Sequence, residues 1–455
     1  KESEIACNNN EKKKILNNNL NHFYKKWDSG RNQFSHIDLA RKKLHFAKYK
    51  SIENLEKNIV EFETKFRSGG GNVFYASDSK EALQFVLKII QETGNNRVVK
   101  SKSMICEEID LEKFLNKHHI SVLETDLGEF IVQLAKEKPS HITAPALHKS
   151  KKEIADLLNE HYGQTFDEST DPQNIVRFVR NLLREEFSKA GVGITGCNFV
   201  IAEHGAVAIT ENEANAVLSA SFPKTHIIIT SIEKIIYSFD HLELFQTMLS
   251  SHGTGQMITA YNHLVFGPST KKEINGPENV FVILLNNNRT SIIEDVNLRE
   301  ASYCIKCGAC HNFCPVFRQI GGHAYQSVYN GPIGSIISPQ IFGNEEYSYM
   351  PFASTLCGKC NDVCPVRINL TSLLIQKRKN IVTQKLNKSS ERFVFSILNR
   401  QLLKRKRIER RSVFVKNTAL RFILRKNWAQ HSEIPLFAKQ SFNRLKKQHA
   451  KSWKK

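Results

Sequence analysis

The chain has 455 residues, 40% of them apolar, which is enough for two or three domains. Its net charge of +20 is uneven: residues 376–455 hold 24 Lys and Arg against 3 Asp and Glu, and the other 375 residues sum to −1, so a basic folded body is excluded. No stretch approaches about eighteen uncharged apolar residues, which excludes a membrane-spanning helix, and "KESEIACNNNEKKK", which does not start with Met, lacks the apolar core of a secretory signal, so no such signal is expected.

Residues 1–60 read as a polar helical segment. "HIDLARKKLHFAKYKSIENLEKNIVEFETKF" carries apolar residues at three-to-four spacing. An α/β domain is expected over 61–290. "RSGGG" forms a turn into the strand "NVFYA", and Asp78 or Ser79 caps the helix that follows. "FRSGGGNV" lacks the phosphate-loop pattern and precedes a strand, so it is a turn and not an anion site. "NRVVKSKSM", "ISVLETDL" and "SHITAPA" are further β-rich runs alternating with helical ones, which implies a largely parallel sheet. From Gly191 close-set strands with glycine turns follow. His141, His148 and His226 lie in or beside apolar runs and read as satisfied core or rim side chains. A cysteine-rich region occupies 291–380, and a basic tail with helical stretches occupies 381–455.

Seven of the ten cysteines fall within Cys304–Cys364; Cys7, Cys106 and Cys197 are scattered. Such clustering in a large chain favours metal binding in a reducing cytosol over disulfides. "CIKCGACHNFCPV" (304–316) aligns without gaps on "STLCGKCNDVCPV" (354–366), and at the ligand positions only Cys304 against Ser354 differs. Cys304, Cys307, Cys310 and Cys314 make the C-x2-C-x2-C-x3-C-P run of two-cluster ferredoxins, in which the fourth cysteine serves the other cluster. That rule assigns Cys304, Cys307, Cys310 and Cys364 to a first cluster, and Cys314, Cys357 and Cys360 to a second, which is one thiolate short. Paired zinc sites are the competing reading, but their ligand pairs lack this run. The missing ligand leaves three outcomes open: a three-iron centre; a four-iron centre with one iron open to water, substrate or Ser354; or completion by a distant His311, His323 or stray cysteine. The Gly- and Pro-rich insert between the halves, "FRQIGGHAYQSVYNGPIGSIISPQIFGNEEYSYMPFAS", is expected to be broken structure folded around the clusters.

"CIKCGACHNFCPVFRQIGGHAY", "GPIGSIISP", "CGKCNDVCPV", "ETDLGEFIVQLAKEKPSHITAPALH", "GITGCNFVIAEHGAVAITENEAN" and "GTGQMITAY" together resemble the lactate utilization protein B family. The likeness runs from about residue 60 to "NWAQHSEIPLFAKQSFNRLKK". It implies a lactate-utilization domain similar to the sugar-phosphate isomerase and CoA-transferase superfamily, followed by a helical ferredoxin-like domain with two clusters, most simply [4Fe-4S]. It also implies the same seven cysteine ligands, with three in the second set throughout the family. The implied role is the iron–sulfur electron-transfer subunit of a cytoplasmic complex oxidising L-lactate to pyruvate, with two further lactate-utilization subunits and an unidentified electron acceptor. "AEHGAVAITENEAN" departs from the usual "AETG…NEGN" at His204 and Ala214.

Glu203-His204-Gly205 matches the Glu-x-Gly of CoA-transferase-like folds, whose carboxylate is a nucleophile. This makes an autonomous acyl- or CoA-transferase with regulatory clusters the alternative function, although a tripeptide match is a weak signal and an ordinary turn between two strands accounts for it better. Glu211, Asn212, Glu213 and Asn215 line either a pocket or a solvated turn. The tail "LLKRKRIERRSVFVKNTALRFILRKNW" suits an acidic partner, an anionic membrane surface or nucleic acid. Without a helicase P-loop or an aromatic-rich RNA motif, nucleic acid is not the expected partner, and peripheral membrane contact fits an electron carrier better.

Overall fold

In this computed structural model, residues 2–403, 412–425 and 433–452 are described. They group into two compact units, 1–384 and 385–455. Ten strands lie in the first unit: β1 (Asn72–Ala76), β2 (Arg97–Lys100), β3 (Ser121–Glu124), β4 (Val192–Thr195), β5 (Phe199–Ile201), β6 (Ala206–Glu211), β7 (Thr225–Ser231), β8 (Ile235–Ile236), β9 (Tyr261–Val265) and β10 (Asn279–Leu285).

Six of them form an all-parallel sheet in the order β1-β10-β7-β4-β2-β3. Every residue of β7, "THIIITS", is buried, as a central strand covered on both faces requires. Helix Ser79–Thr93 packs on one face through Ala82, Val86, Ile89 and Ile90, at helical spacing. The Asp78 side chain accepts from Glu81 N at 2.9 Å to start that helix, and Gly94 at φ 66° ends it. Helix Pro172–Lys189 covers the other face through Ile175, Val179, Leu183 and Phe187. Gly193 in β4 lies so close to helix Asn215–Ser221 that a Cβ there would stand 1.7 Å from Ser219 O.

The remaining strands form a mixed sheet, β8-β5-β6-β9. "SHITAPA" is not a strand. Pro139 and Pro145 lack backbone donors, and the loop closes on a side chain instead: Thr143 N and Ala144 N donate to His141 Nδ1 at 3.1 and 3.3 Å. The insert between the cysteine loops also differs from expectation, because Gly331–Ile341 is a buried α-helix. Pro332 sits in its first turn, where no N–H is needed.

The N-terminal helices Asn10–Arg31 and Ile37–Glu53 pack against the cysteine loops. Trp27 and Tyr24 pack tilted against Phe313 with centroids 4.7 and 4.9 Å away. Arg41 Nε donates to Cys364 O at 2.9 Å. The second unit contains helices Ser389–Leu402, Val413–Leu424 and Phe442–Ser452. Much of the basic run, at 404–411 and 426–432, lies outside the described residues. No helix among those described is long and apolar enough to cross a membrane.

Candidate metal centre

The sequence repeat is also a backbone repeat. In the first loop Lys306 and Gly308 take φ 58° and 79° ahead of helix Ala309–Asn312. In the second, Leu356 and Gly358 take 56° and 85° ahead of helix Lys359–Asp362. Lys306 N donates to Cys304 Sγ at 3.4 Å, and Leu356 N donates to Ser354 Oγ at 3.2 Å. Ser354 therefore takes the place of Cys304 in a matching turn, with a hydroxyl where the first loop has a thiol. Arg378 fixes that turn by donating to Ser354 O at 2.7 Å.

Two groups of sulfurs result. Cys304, Cys307, Cys310 and Cys364 wall one small apolar cavity with Ile333, Ile368 and Leu370. Cys314 and Cys360 neighbour one another and Cys357. Each group draws on both loops, and the groups adjoin through Cys310 and Cys360. Helices Ala309–Asn312 and Lys359–Asp362 pack together to make this possible. Cys357 is exposed, Cys304 is half-buried, and the other five are buried.

Burial, and then the neighbouring sulfurs, push the Cys360 thiol up to about 12. Burial pushes Cys364 up to about 12 as well, against the opposing pull of Ile368 N, which donates to its sulfur at 3.3 Å. Crowded buried thiols of this kind become thiolates only beside a compensating cation. An all-sulfur donor set with amide N–H groups aimed at it fits a soft, thiolate-bound metal cluster.

The other residues singled out in the sequence lie elsewhere. His311 is buried, stacks on Phe317, and has Nε2 2.6 Å from Asn330 O; burial lowers it to about 4. His323 Nε2 is 2.7 Å from Lys138 O, and its ring lies 4.4 Å from that of His148. His226 Nε2 is 2.8 Å from Thr195 Oγ1. Cys197 Sγ donates to Thr230 Oγ1 at 3.0 Å, Cys106 is buried in the sheet's helical layer, and Cys7 is exposed. Glu203 sits in the tight turn joining β5 to β6, where Gly205 takes φ 58° against the Lys65–Phe66 backbone. Its Oε2 accepts from Phe239 N at 2.9 Å, which holds the carboxyl below its usual range.

Glu211, Asn212, Glu213 and Asn215 do line a cavity, of about 280 Å3. It opens at the carboxyl ends of β2, β3, β4 and β7 and is closed by Lys306 and Tyr329 from the cysteine region. Sequence reasoning missed its cations, Lys102, Lys234 and Lys306. The signal was present for the first of them: in "RVVKSKS" polar residues follow a strand directly, which is where open parallel sheets place ligands.

Residues 59–285 match the LUD domain, and residues 300–368 match the 4Fe-4S dicluster domain. Lactate utilization protein B of Bacillus subtilis is 40% identical over 332 residues, covering 73% of this chain and 69% of that protein. The protein of the same name from Geobacillus kaustophilus is 40% identical over 333 residues, with the same coverage of 73% and 69%. A solved DUF162-family structure from Deinococcus radiodurans aligns with a TM-score of 0.29 and 14% identity, over 51% of this chain and 98% of that one. On the identity and extent of these matches, the chain belongs to the lactate utilization protein B family.

Proposed function

We propose that this chain is the iron–sulfur electron-transfer subunit of a cytoplasmic complex that oxidises L-lactate to pyruvate together with two further lactate-utilization subunits. The observation that carries this reading is the sorting of seven sulfurs into two adjoining groups, each drawn from both loops. Cys304, Cys307, Cys310 and Cys364 would hold one cluster. Cys314, Cys357 and Cys360 would hold the other, with Ser354 at the corner that Cys304 occupies in the first loop. When bound, two [4Fe-4S] clusters supply one-electron oxidation and reduction.

The chain's own residues set the conditions for that role. Ile333, Ile368 and Leu370 exclude water from the first sulfur group. The amides of Lys306 and Ile368 donate to Cys304 and Cys364, which favours their thiolate forms. Exposed Cys357 brings the second group to the surface, within reach of an electron acceptor. In this reading residues 61–290 are the lactate-utilization domain and 291–380 the cluster domain. Segment 1–60 braces the cluster domain, and basic segment 381–455 offers a surface to a partner or an anionic membrane. The test is lactate-dependent bleaching of the visible absorbance in the complex reconstituted without oxygen. Absorbance that persists with lactate and all partners present would sink the proposal.

A further inference from the structure

The cavity at the carboxyl ends of the parallel strands has a charge pattern that suits a small anion. Its acids already have neighbouring donors or cations. Asp126 lies 3.6 Å from Lys102 Nζ. Glu211 accepts from Ala216 N and Val217 N at 2.7 and 2.9 Å and lies 3.0 Å from His263 Nε2. Glu213 accepts from Leu127 N at 3.3 Å.

Two of its cations, Lys234 and Lys306, form no ion pair among the described residues. Lys234 Nζ donates to Cys197 O at 2.6 Å, which leaves further N–H donors, and it has no carboxylate within ion-pair distance among the described residues. Lys306 Nζ lies 4.7 Å over the Tyr329 ring, and the carboxylate whose charge it feels, Glu233, lies beyond ion-pair distance. Ser103, which is 5% exposed, carries a buried Oγ beside the Cys106 thiol, with no nitrogen or oxygen partner. Gly196 makes room for that hydroxyl, since a Cβ there would stand 2.7 Å from it. At about 280 Å3 the cavity is at the lower end of small-molecule sites.

Its position links it to the sulfurs. Ile142 and Lys306 wall both this cavity and the one lined by Cys304, Cys307, Cys310 and Cys364. A ligand here is separated from the first sulfur group by a single layer of side chains.

We infer that this cavity binds a small carboxylate anion of the 2-hydroxy acid class on this chain itself, with Lys234 and Lys306 as charge partners and the Ser103 hydroxyl as a hydrogen-bonding group. The choice of acid rests on the functional reading above; the site rests on the cavity and its two lysines outside any ion pair.

The test is calorimetric titration of the full chain, purified without oxygen and with its iron content measured, with L-lactate as the probe. One saturable site is expected. Lys234→Gln and Lys306→Gln should each weaken it at least tenfold, and Ser103→Ala severalfold, with iron content and visible spectrum unchanged in Lys234→Gln and Ser103→Ala. Lys234 lies outside the cysteine loops, so its variant keeps the test decisive if Lys306→Gln loses iron. Absence of saturable binding, or binding that survives Lys234→Gln, overturns the inference. If lactate bleaches the reconstituted complex while the chain alone takes up none, the site falls and the electron-transfer reading stands. If lactate binds here through the lysines while the complex stays coloured, the site stands and that reading falls.

Discussion

Replacing Arg289 with methionine removes the one cation between two buried carboxylates. Arg289 is 2% exposed. Its guanidinium grips Glu108 with two hydrogen bonds of 2.8 and 2.6 Å, and its Nε lies 2.8 Å from Glu233 Oε2, close enough for an ion pair but out of line for a hydrogen bond. Tyr329 donates to Glu108 at 2.6 Å, so this network ties the parallel sheet to the cysteine region. Burial pushes the Glu233 carboxyl up, but Arg289, then Lys306 and a Ser231 hydrogen bond, outweigh it and hold it at about 2, against an ordinary 4.5. A depression of that size corresponds to roughly 3 kcal/mol of stability at neutral pH. Breaking a buried pair by removing one partner typically costs about 3–5 kcal/mol, which agrees. Because the folded pKa is the lower one, this stability is fully present above about 4.5 and is lost as pH falls towards 2. Urea unfolding at pH 7, followed by far-UV circular dichroism, should show Arg289→Met destabilised by about 3–5 kcal/mol. Should that variant fail to fold, Tyr329→Phe should lose about 1.5–3 kcal/mol, as expected for a hydrogen bond to a charged group. A loss below about 1 kcal/mol for Arg289→Met would refute the reasoning.

Ser354→Cys supplies the thiol missing from the second loop and should raise iron per chain, or convert a three-iron electron paramagnetic resonance signal to a four-iron one; an unchanged spectrum and iron content would count against Ser354 at that corner. Ala214 holds φ 59°, where the family pattern has glycine, and a left-handed non-glycine residue costs about 1–2 kcal/mol. Offsetting glycine's greater unfolded-state freedom, Ala214→Gly should still stabilise the chain by up to about 1 kcal/mol in the same urea assay, and destabilisation would contradict the strain argument. Glu203→Gln should leave lactate-dependent bleaching within about twofold of wild type, since the carboxylate is engaged at a turn by Phe239 N, Ser238 and His204. Loss of acyl- or CoA-transfer in that variant would instead revive the transferase alternative.

Legibility in the sequence followed how local each signal was. The strands "NVFYA", "NRVVK" and "ISVLE" were readable because short β-branched runs lie between turn and helix signals. The cap at Asp78 was equally local. "SHITAPA" looked similar, but its flanking prolines and the His141 side chain settle the backbone as a loop. "GPIGSIISPQI" looked broken and is helical, because Pro332 falls in the first turn and burial on nearly every side carries Pro339. For the N-terminal helices, periodicity implied a buried face but could not say that Phe313 and the Cys364 carbonyl lie against it. The cysteine set was legible because its spacing is itself the chemistry. The Lys102, Lys234 and Lys306 cavity was not, because four strand ends distant in sequence and a cysteine loop meet there only once the sheet order is known.

The crossing of sulfurs between the loops is the central claim, and Cys364 tests it most directly. It lies in the second loop yet walls the cavity of the first sulfur group. In oxygen-free protein reduced stepwise, Cys364→Ser should alter the same paramagnetic resonance signal as Cys307→Ser and leave intact the one altered by Cys357→Ser. A Cys364→Ser spectrum that matches Cys357→Ser instead, or wild-type protein that binds no iron, would contradict the account.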